Sequence, residues 1–297
     1  LKTTLLIFFL RLTAMGSLAT ARRWGRWLGW ISWQTRSRMA QTTQTNLALC
    51  YPNLPESERQ LLGRDSIYNT CQTITEGGPA WLWSNDRVMD HILTVEGLAN
   101  LEAAQAAGRG TVVIAPHLGN WEVFGLYLNQ CGCGQTSQLY QAPRDPRLDR
   151  LIYAARSRAG ANMVSTDAKG IISLVKSLKR GEIVGILPDQ VPDDASGGEF
   201  APFFGKPVLT MTLVSRLLQR TGARAVLGFA ERLEQDGRAG WKIVFEPAPE
   251  KIYARHIQES VAALNNSIEQ LVSRAPAQYQ WEYKRFRRVP PRELRPY

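Results

Sequence analysis

The 297-residue chain is poor in cysteine and histidine, with four of the first and three of the second. Cys131 and Cys133 are one residue apart, not the two of a zinc knuckle or redox pair, and Cys50 and Cys71 stand alone. His91, His117 and His256 complete no ligand set with them, so no metal is expected and the thiols read as idle groups of a reducing compartment. A Gly-x-Ser-x-Gly elbow is missing from the strand ends, which argues against a serine nucleophile. Gly197-Gly198 is not followed by Gly-Lys-Ser/Thr, so it is no phosphate-binding P-loop. Helix-turn-helix, zinc-finger and RNP-like signals are lacking too, which argues against nucleic acid as a partner. Without internal repeats, low-complexity runs or long linkers, the length fits one large α/β domain, alone or with an appendage.

What is abundant is positive charge. Lys and Arg number 36 against 26 acidic residues, a formal net charge of +10. Such a surface suits anionic lipid, a phosphorylated glycolipid or an acidic carrier protein. The N-terminus adds apolar stretches at Leu5 to Leu10 and Leu12 to Ala21, interrupted by Arg11. A central arginine costs about 2.5–3.5 kcal/mol on the insertion scale, so the segment is at the margin of a membrane span. Ala19-Thr20-Ala21 has the spacing of a signal-peptidase site, yet the segment reads as a retained anchor. Next comes Arg22-Arg23-Trp24-Gly25-Arg26-Trp27-Leu28-Gly29-Trp30-Ile31-Ser32-Trp33, with Trp24, Trp27, Leu28 and Ile31 on one helical stripe. Tryptophan beside arginine suits the water–lipid boundary, and the positive cluster favours the cytoplasmic side. Residues 1–38 therefore read as a membrane-associated helix and 39–297 as the main domain.

Residues 38–90 read as helices, broken by Pro52 and Pro55 and bent at Gly77-Gly78-Pro79. From His91 the pattern alternates. Strands are expected at 92–95, 111–115, 136–140, 183–187, 225–229 and 242–245. Helices are expected at 98–107, 121–129, 147–158, 169–178, 209–220 and 254–274. The class is α/β, a mixed central sheet flanked by helices. The basic run from Lys284 to Arg295 reads as a surface strap.

The chemistry concentrates in Ala115-Pro116-His117-Leu118-Gly119-Asn120-Trp121-Glu122, between the strand at Thr111 and the helix at Trp121. Imidazole beside carboxylate can take a proton from a hydroxyl, with the carboxylate fixing the tautomer. Residues five apart on one helix lie about 140° apart around its axis, so His117 must sit in the turn and curl back toward Glu122. Arg156 and Arg158 offer guanidinium forks for phosphate or carboxylate. Asp189 ends the strand from Ile183 at the same rim, and Lys206, in Pro202-Phe203-Phe204-Gly205-Lys206-Pro207, can meet a phosphate.

These stretches resemble the bacterial lipid A biosynthesis (late) acyltransferases, relatives of the HX4D/E glycerolipid acyltransferases. The matching runs are 110–122, 140–158, 179–190, Pro202-Phe203-Phe204-Gly205 with Pro207, and Gln278-Tyr279-Gln280-Trp281 with Arg285-Phe286. Weaker matches fall at Asn46-Leu47, Tyr51-Pro52 and Glu76. The resemblance implies a glycerolipid-acyltransferase-like fold at the cytoplasmic side of a bacterial inner membrane. It implies a fatty acyl thioester on acyl carrier protein as donor, a hydroxyl of a lipid A precursor as acceptor, and no metal or organic cofactor. His117 would be the general base, Glu122 its orienting carboxylate, and Arg156, with Arg158 as companion, an active-site arginine. A functional Asp matches Asp189; many relatives carry His next, where this chain has Gln190. Rival readings are an acyltransferase for lysophospholipid, glycerol phosphate or another glycolipid, an acyl-thioester hydrolase, and a non-catalytic basic membrane-binding protein.

Overall fold

The structure, a computed structural model, describes residues 2–291 and 294–297. Leu1 of the expected anchor, and Arg292 and Glu293 of the expected strap, lie outside the described residues. Five helices come first: α1 (Lys2–Met15), α2 (Leu18–Gln34), α3 (Arg38–Cys50), α4 (Glu56–Leu82) and the short α5 (Asn85–Met89). Alternation follows with β1 (Ile92–Glu96), α6 (Leu98–Ala106), β2 (Thr111–Ile114), α7 (Trp121–Gln130), β3 (Thr136–Tyr140), α8 (Pro146–Ser157), β4 (Asn162–Ser165), α9 (Ala168–Lys179) and β5 (Ile183–Ile186). The chain continues through β6 (Gly198–Phe203), β7 (Lys206–Met211), α10 (Leu213–Thr221), β8 (Arg224–Gln235), β9 (Arg238–Pro247) and α11 (Ile257–Arg274).

The main sheet has the order β1-β9-β8-β2-β5-β3-β4, and β6-β7 form a separate hairpin. Within the main sheet β8 and β9 are antiparallel and every other neighbouring pair is parallel, so the sheet is mixed as expected. β2 lies between β8 and β5, and its Val112, Val113 and Ile114 are fully buried. A strand covered on both faces has no solvent side to make polar, which is why this run does not alternate. Because β2 and β5 are parallel neighbours, the loops leaving their C-terminal ends emerge side by side.

Three local expectations are corrected. Gly77-Gly78-Pro79 does not bend the chain but continues α4. A Cβ on Gly78 would lie 2.3 Å from the Leu10 carbonyl oxygen, so glycine here serves the close crossing of α1 over α4. Leu209 to Met211 belongs to β7, and the next helix starts at Leu213. β4 was not foreseen, since Asn162-Met163-Val164-Ser165 is a four-residue edge strand with one buried side chain.

The N-terminal helices are packed on the body. α2 turns Leu18, Ala21, Arg22, Gly25 and Gly29 inward. A Cβ on Gly25 or Gly29 would fall 2.5 Å from Gln72 Cα or 2.7 Å from Tyr68 Cα, so this glycine pair lets α2 lie directly on the backbone of α4. Trp24, Trp27 and Trp30 face out, Trp27 being 61% and Trp30 51% exposed, while Trp33 is half-buried against Gly63 of α4. Among the described residues no helix is long and apolar enough to cross a membrane.

Candidate active site

The turn from β2 to α7 is held from three sides. The Gly119 N–H donates to the Gln278 carbonyl (3.0 Å), the Asn120 N–H to the Ala230 carbonyl (2.9 Å), and the Gln280 N–H to the His117 carbonyl (3.1 Å). Gly119 has φ +63°, and a Cβ there would sit 1.9 Å from the Ala230 oxygen, so only glycine fits. The Asn120 side chain accepts from the Val123 N–H and caps α7. Its amide nitrogen donates to Glu76 Oε2 at 2.8 Å, which fastens the turn to a buried charge cluster. In that cluster Glu76 also accepts from Arg22 Nε (2.7 Å) and Arg232 Nε (2.8 Å). Burial works against the Glu76 charge, but Arg232 and Arg22 outweigh it and hold its pKa down at about 2.

His117 is clamped by Asp189 from the end of β5. The His117 backbone N–H donates to Asp189 Oδ2 and its ring Nδ1 to Asp189 Oδ1, both at 2.8 Å. Burial favours the neutral acid, yet His117, by charge and hydrogen bonds, lowers the Asp189 pKa below the usual carboxylate range. An ionised carboxylate only accepts, so the Nδ1 carries a proton and the Nε2 edge is the one turned away from Asp189. The Nε2 atom accepts one long contact, 3.3 Å, from the Gln190 amide nitrogen. The ring stands edge-on to Trp121, with centroids 4.9 Å apart.

The carboxylate hydrogen-bonded to the imidazole is thus Asp189, not Glu122. Glu122 takes a bidentate fork from Arg156, whose Nε donates to Oε2 at 2.9 Å and whose Nη2 donates to Oε1. Burial opposes its charge, but the Arg156 fork prevails and its pKa is lowered; the nearby His117 acts in the same direction. The spacing does bring His117 and Glu122 to one site, but parallel pairing of β2 and β5 puts the Asp189 carboxylate nearer the ring. Sequence distance hides that pairing: the partners are 72 residues apart.

Arg158 does not face the site. Its three nitrogens donate to Asn85 Oδ1 (2.7 Å), the Trp81 carbonyl (2.9 Å) and the Ala80 carbonyl (2.8 Å), which caps the last turn of α4. Lys206 is exposed at the turn of the β6–β7 hairpin. Phe203 and Phe204 pack with Tyr51, Tyr279 and Trp281, so these aromatics pin a core. Arg285, expected on a surface strap, is buried and donates to the Leu209 carbonyl (2.7 Å) and Thr210 Oγ1 (2.6 Å).

Next to Trp121 and Glu122 lies a cavity of about 370 Å³, walled also by Leu6, Leu10, Ile74, Trp81 and Leu148. Glu122, Gln280 and Glu282 supply its polar edge. A mostly apolar space edged by a few polar groups suits an acyl chain. α1 supplies two wall residues. Sequence reasoning missed Glu282 and the bond from Gln190 to Gln280; Gln280 lay within a matching stretch, without an assigned role. Burial raises the Glu282 pKa, and its carboxylate accepts from the Thr70 hydroxyl at 2.9 Å. Among the described residues, no cluster of His, Cys, Asp and Glu could hold a metal ion.

The family model described as bacterial lipid A biosynthesis acyltransferase matches residues 2–288, nearly the whole chain. The chain belongs to that family. It is an O-acyltransferase, which removes the non-catalytic reading. The lipid A biosynthesis palmitoleoyltransferase of Escherichia coli (strain K12) is 30% identical over 245 residues, 82% of this chain and 78% of that protein. The lauroyltransferase of the same strain is 29% identical over 258 residues, 85% of this chain and 80% of that protein. Its myristoyltransferase is 23% identical over 254 residues, 85% and 76%. Relatives named for three different acyl groups align over the same stretch, so the family match does not fix the chain length transferred.

Proposed function

We propose that this lipid A acyltransferase moves a fatty acyl group from an acyl carrier protein thioester to a hydroxyl of a lipid A precursor, with His117 Nε2 as general base. The observation that carries this reading is the imidazole clamped by Asp189 through Nδ1, whose neighbours Trp121 and Gln280 line a largely apolar cavity. Asp189 fixes the tautomer and stabilises the imidazolium that forms. Glu122 and Arg156 form the polar wall where the head of a substrate arrives, and their ion pair keeps both rigid. The net charge of +10 favours an acidic carrier and a phosphorylated glycolipid.

The enzyme works at the inner membrane with this site toward the cytoplasm. Supporting this, α1 exposes Leu5, Phe8, Leu12 and Met15, and α2 exposes Trp24, Trp27 and Trp30 beside Arg23 and Arg26. Aromatic and apolar side chains mixed with arginine match an interfacial surface, and α1 also walls the cavity, so a lipid chain would have a short path inward. Replacing Trp24, Trp27 and Trp30 together with serine should cut sedimentation with anionic vesicles; unchanged sedimentation would place the contact elsewhere.

The central test uses purified protein, acyl carrier thioester and a lipid A precursor, with product mass read by mass spectrometry. His117→Ala should lower turnover about 10²–10⁴-fold. Near-normal turnover would remove His117 from the mechanism.

A further inference from the structure

The base nitrogen of His117 faces an amide that lies in a fixed hydrogen-bond chain. Gln190 Nε2 has two N–H groups. One donates to Gln280 Oε1 at 3.1 Å, and the other reaches His117 Nε2 at 3.3 Å. The direction follows from the groups that meet: an amide nitrogen only donates, so in this contact Gln190 donates and His117 Nε2 accepts, while Asp189 takes the other ring nitrogen. Gln280 in turn is held by its backbone N–H on the His117 carbonyl, and its side chain lies against Glu282, which Thr70 fixes from α4. Asn46 ties the same segment to α3 through the Trp281 and Tyr283 carbonyls, at 2.7 and 2.8 Å. One N–H of Gln190 is therefore anchored, and the other makes a long bond at the point where an acceptor hydroxyl must bind.

We propose that Gln190 is a catalytic residue of the transfer, its free N–H donating to the oxyanion that forms on the thioester carbonyl, with Gln280 as the residue that positions it. The inference rests on His117 being the general base. The acceptor hydroxyl takes the place of the Gln190 N–H at Nε2 and passes its proton there as its oxygen bonds to the carbonyl carbon. The carbonyl π electrons move onto oxygen. The released N–H, still held through Gln280, lies about one atom's reach from Nε2 and meets that oxyanion. Collapse reforms the carbonyl, breaks the carbon–sulfur bond, and the leaving thiolate recovers the proton from Nε2. A donor preset where charge develops does not have to reorganise during the reaction.

The test is steady-state kinetics of Gln190→Ala, Gln280→Ala and the double variant, beside His117→Ala. Loss of one oxyanion donor should lower kcat of Gln190→Ala about 10²–10³-fold, with KM for donor and acceptor within about threefold. Gln280→Ala should lose less, and the double variant should be no slower than Gln190→Ala, because the anchor acts only through the amide it holds. Gln190→Glu, of the same shape but with an acceptor turned to the oxyanion, should be as slow as the alanine variant; it serves also if that variant fails to fold. A kcat within threefold of the parent, a loss confined to KM for the acceptor, or additive losses in the double variant would each overturn the role. If His117→Ala keeps its activity, the general-base reading fails; if His117→Ala is inactive and Gln190→Ala is not, only the present inference fails.

Discussion

Two buried charge networks meet at the start of α7, and they are built differently. Around Glu76, Arg22 and Arg232 point their donors at one carboxylate, and Asn120 supplies another bond. The remaining Arg22 donors end on the Leu233 and Gly240 carbonyls, and those of Arg232 on Asn69 and Thr73. Every guanidinium nitrogen of the two arginines has a partner, and both side chains are walled in by α2, α4 and the β8–β9 hairpin. Around His117 the bonds are as short on the Asp189 side, but the opposite nitrogen keeps one 3.3 Å contact, and the neighbouring Trp121 and Gln280 line a cavity. A saturated network has no bond left for a substrate and serves the fold. A network with one long contact can exchange that bond for a substrate's, which is what the proposed reaction asks of His117. A buried carboxylate is common to both networks, and what sets them apart is how their hydrogen bonds are filled.

The widest gap should come from removing one member of each network. His117→Ala should lose turnover as above with a stability loss of about 1–2 kcal/mol for the Asp189 bond, whereas Glu76→Ala should lose about 3–5 kcal/mol of unfolding free energy, because two buried arginines lose their counter-charge. Equal destabilisation by both would erase the distinction. Acid should separate them too. Glu76 is held down at about 2 from an ordinary 4.5, so its contribution is complete above about pH 4.5 and is lost as pH falls toward 2; Glu76→Gln should flatten that slope in an acid unfolding series.

A finer test is Asp189→Asn. Its oxygen can still accept the His117 backbone N–H, but its NH2 then faces Nδ1 and forces the proton onto Nε2. We expect a drop in kcat of about 10²-fold or more, with the fold kept; a drop seen only in KM would contradict the tautomer argument. The smallest effect is expected at Arg158, which caps α4. Arg158→Met should cost about 1–2 kcal/mol in denaturant unfolding and leave turnover per folded molecule within twofold. A large kinetic loss there would return Arg158 to the substrate site.

Much of the scaffold is legible along the chain because it depends on local pattern. β3 begins and ends where the β-branched and aromatic run predicts, and α6 to α9 agree within about one residue, since their caps (Asn120, Asp145, Asp167) stand in sequence just before the apolar stripe. The errors have a common cause in tertiary contact. Gly77-Gly78-Pro79 carries the local signature of a bend and stays helical because α1 crosses there. β8 and β9 run well beyond their apolar centres because pairing in a hairpin extends strands into polar residues such as Glu234 and Arg238. The outward face read for Trp24, Trp27 and Trp30 of α2 agrees with the structure, because the glycines opposite them lie directly on α4.

By itself, then, the sequence determined the α/β class, the family through its ordered short motifs, and His117 as the candidate base, since these rest on residue type and near spacing. Only the tertiary structure decided which carboxylate holds that base. Parallel pairing of β2 with β5 brings Asp189 to the imidazole across 72 residues, while the first turn of α7 gives Glu122 to Arg156. Neighbours across a sheet are set by strand order, and strand order is a property of the whole packed chain.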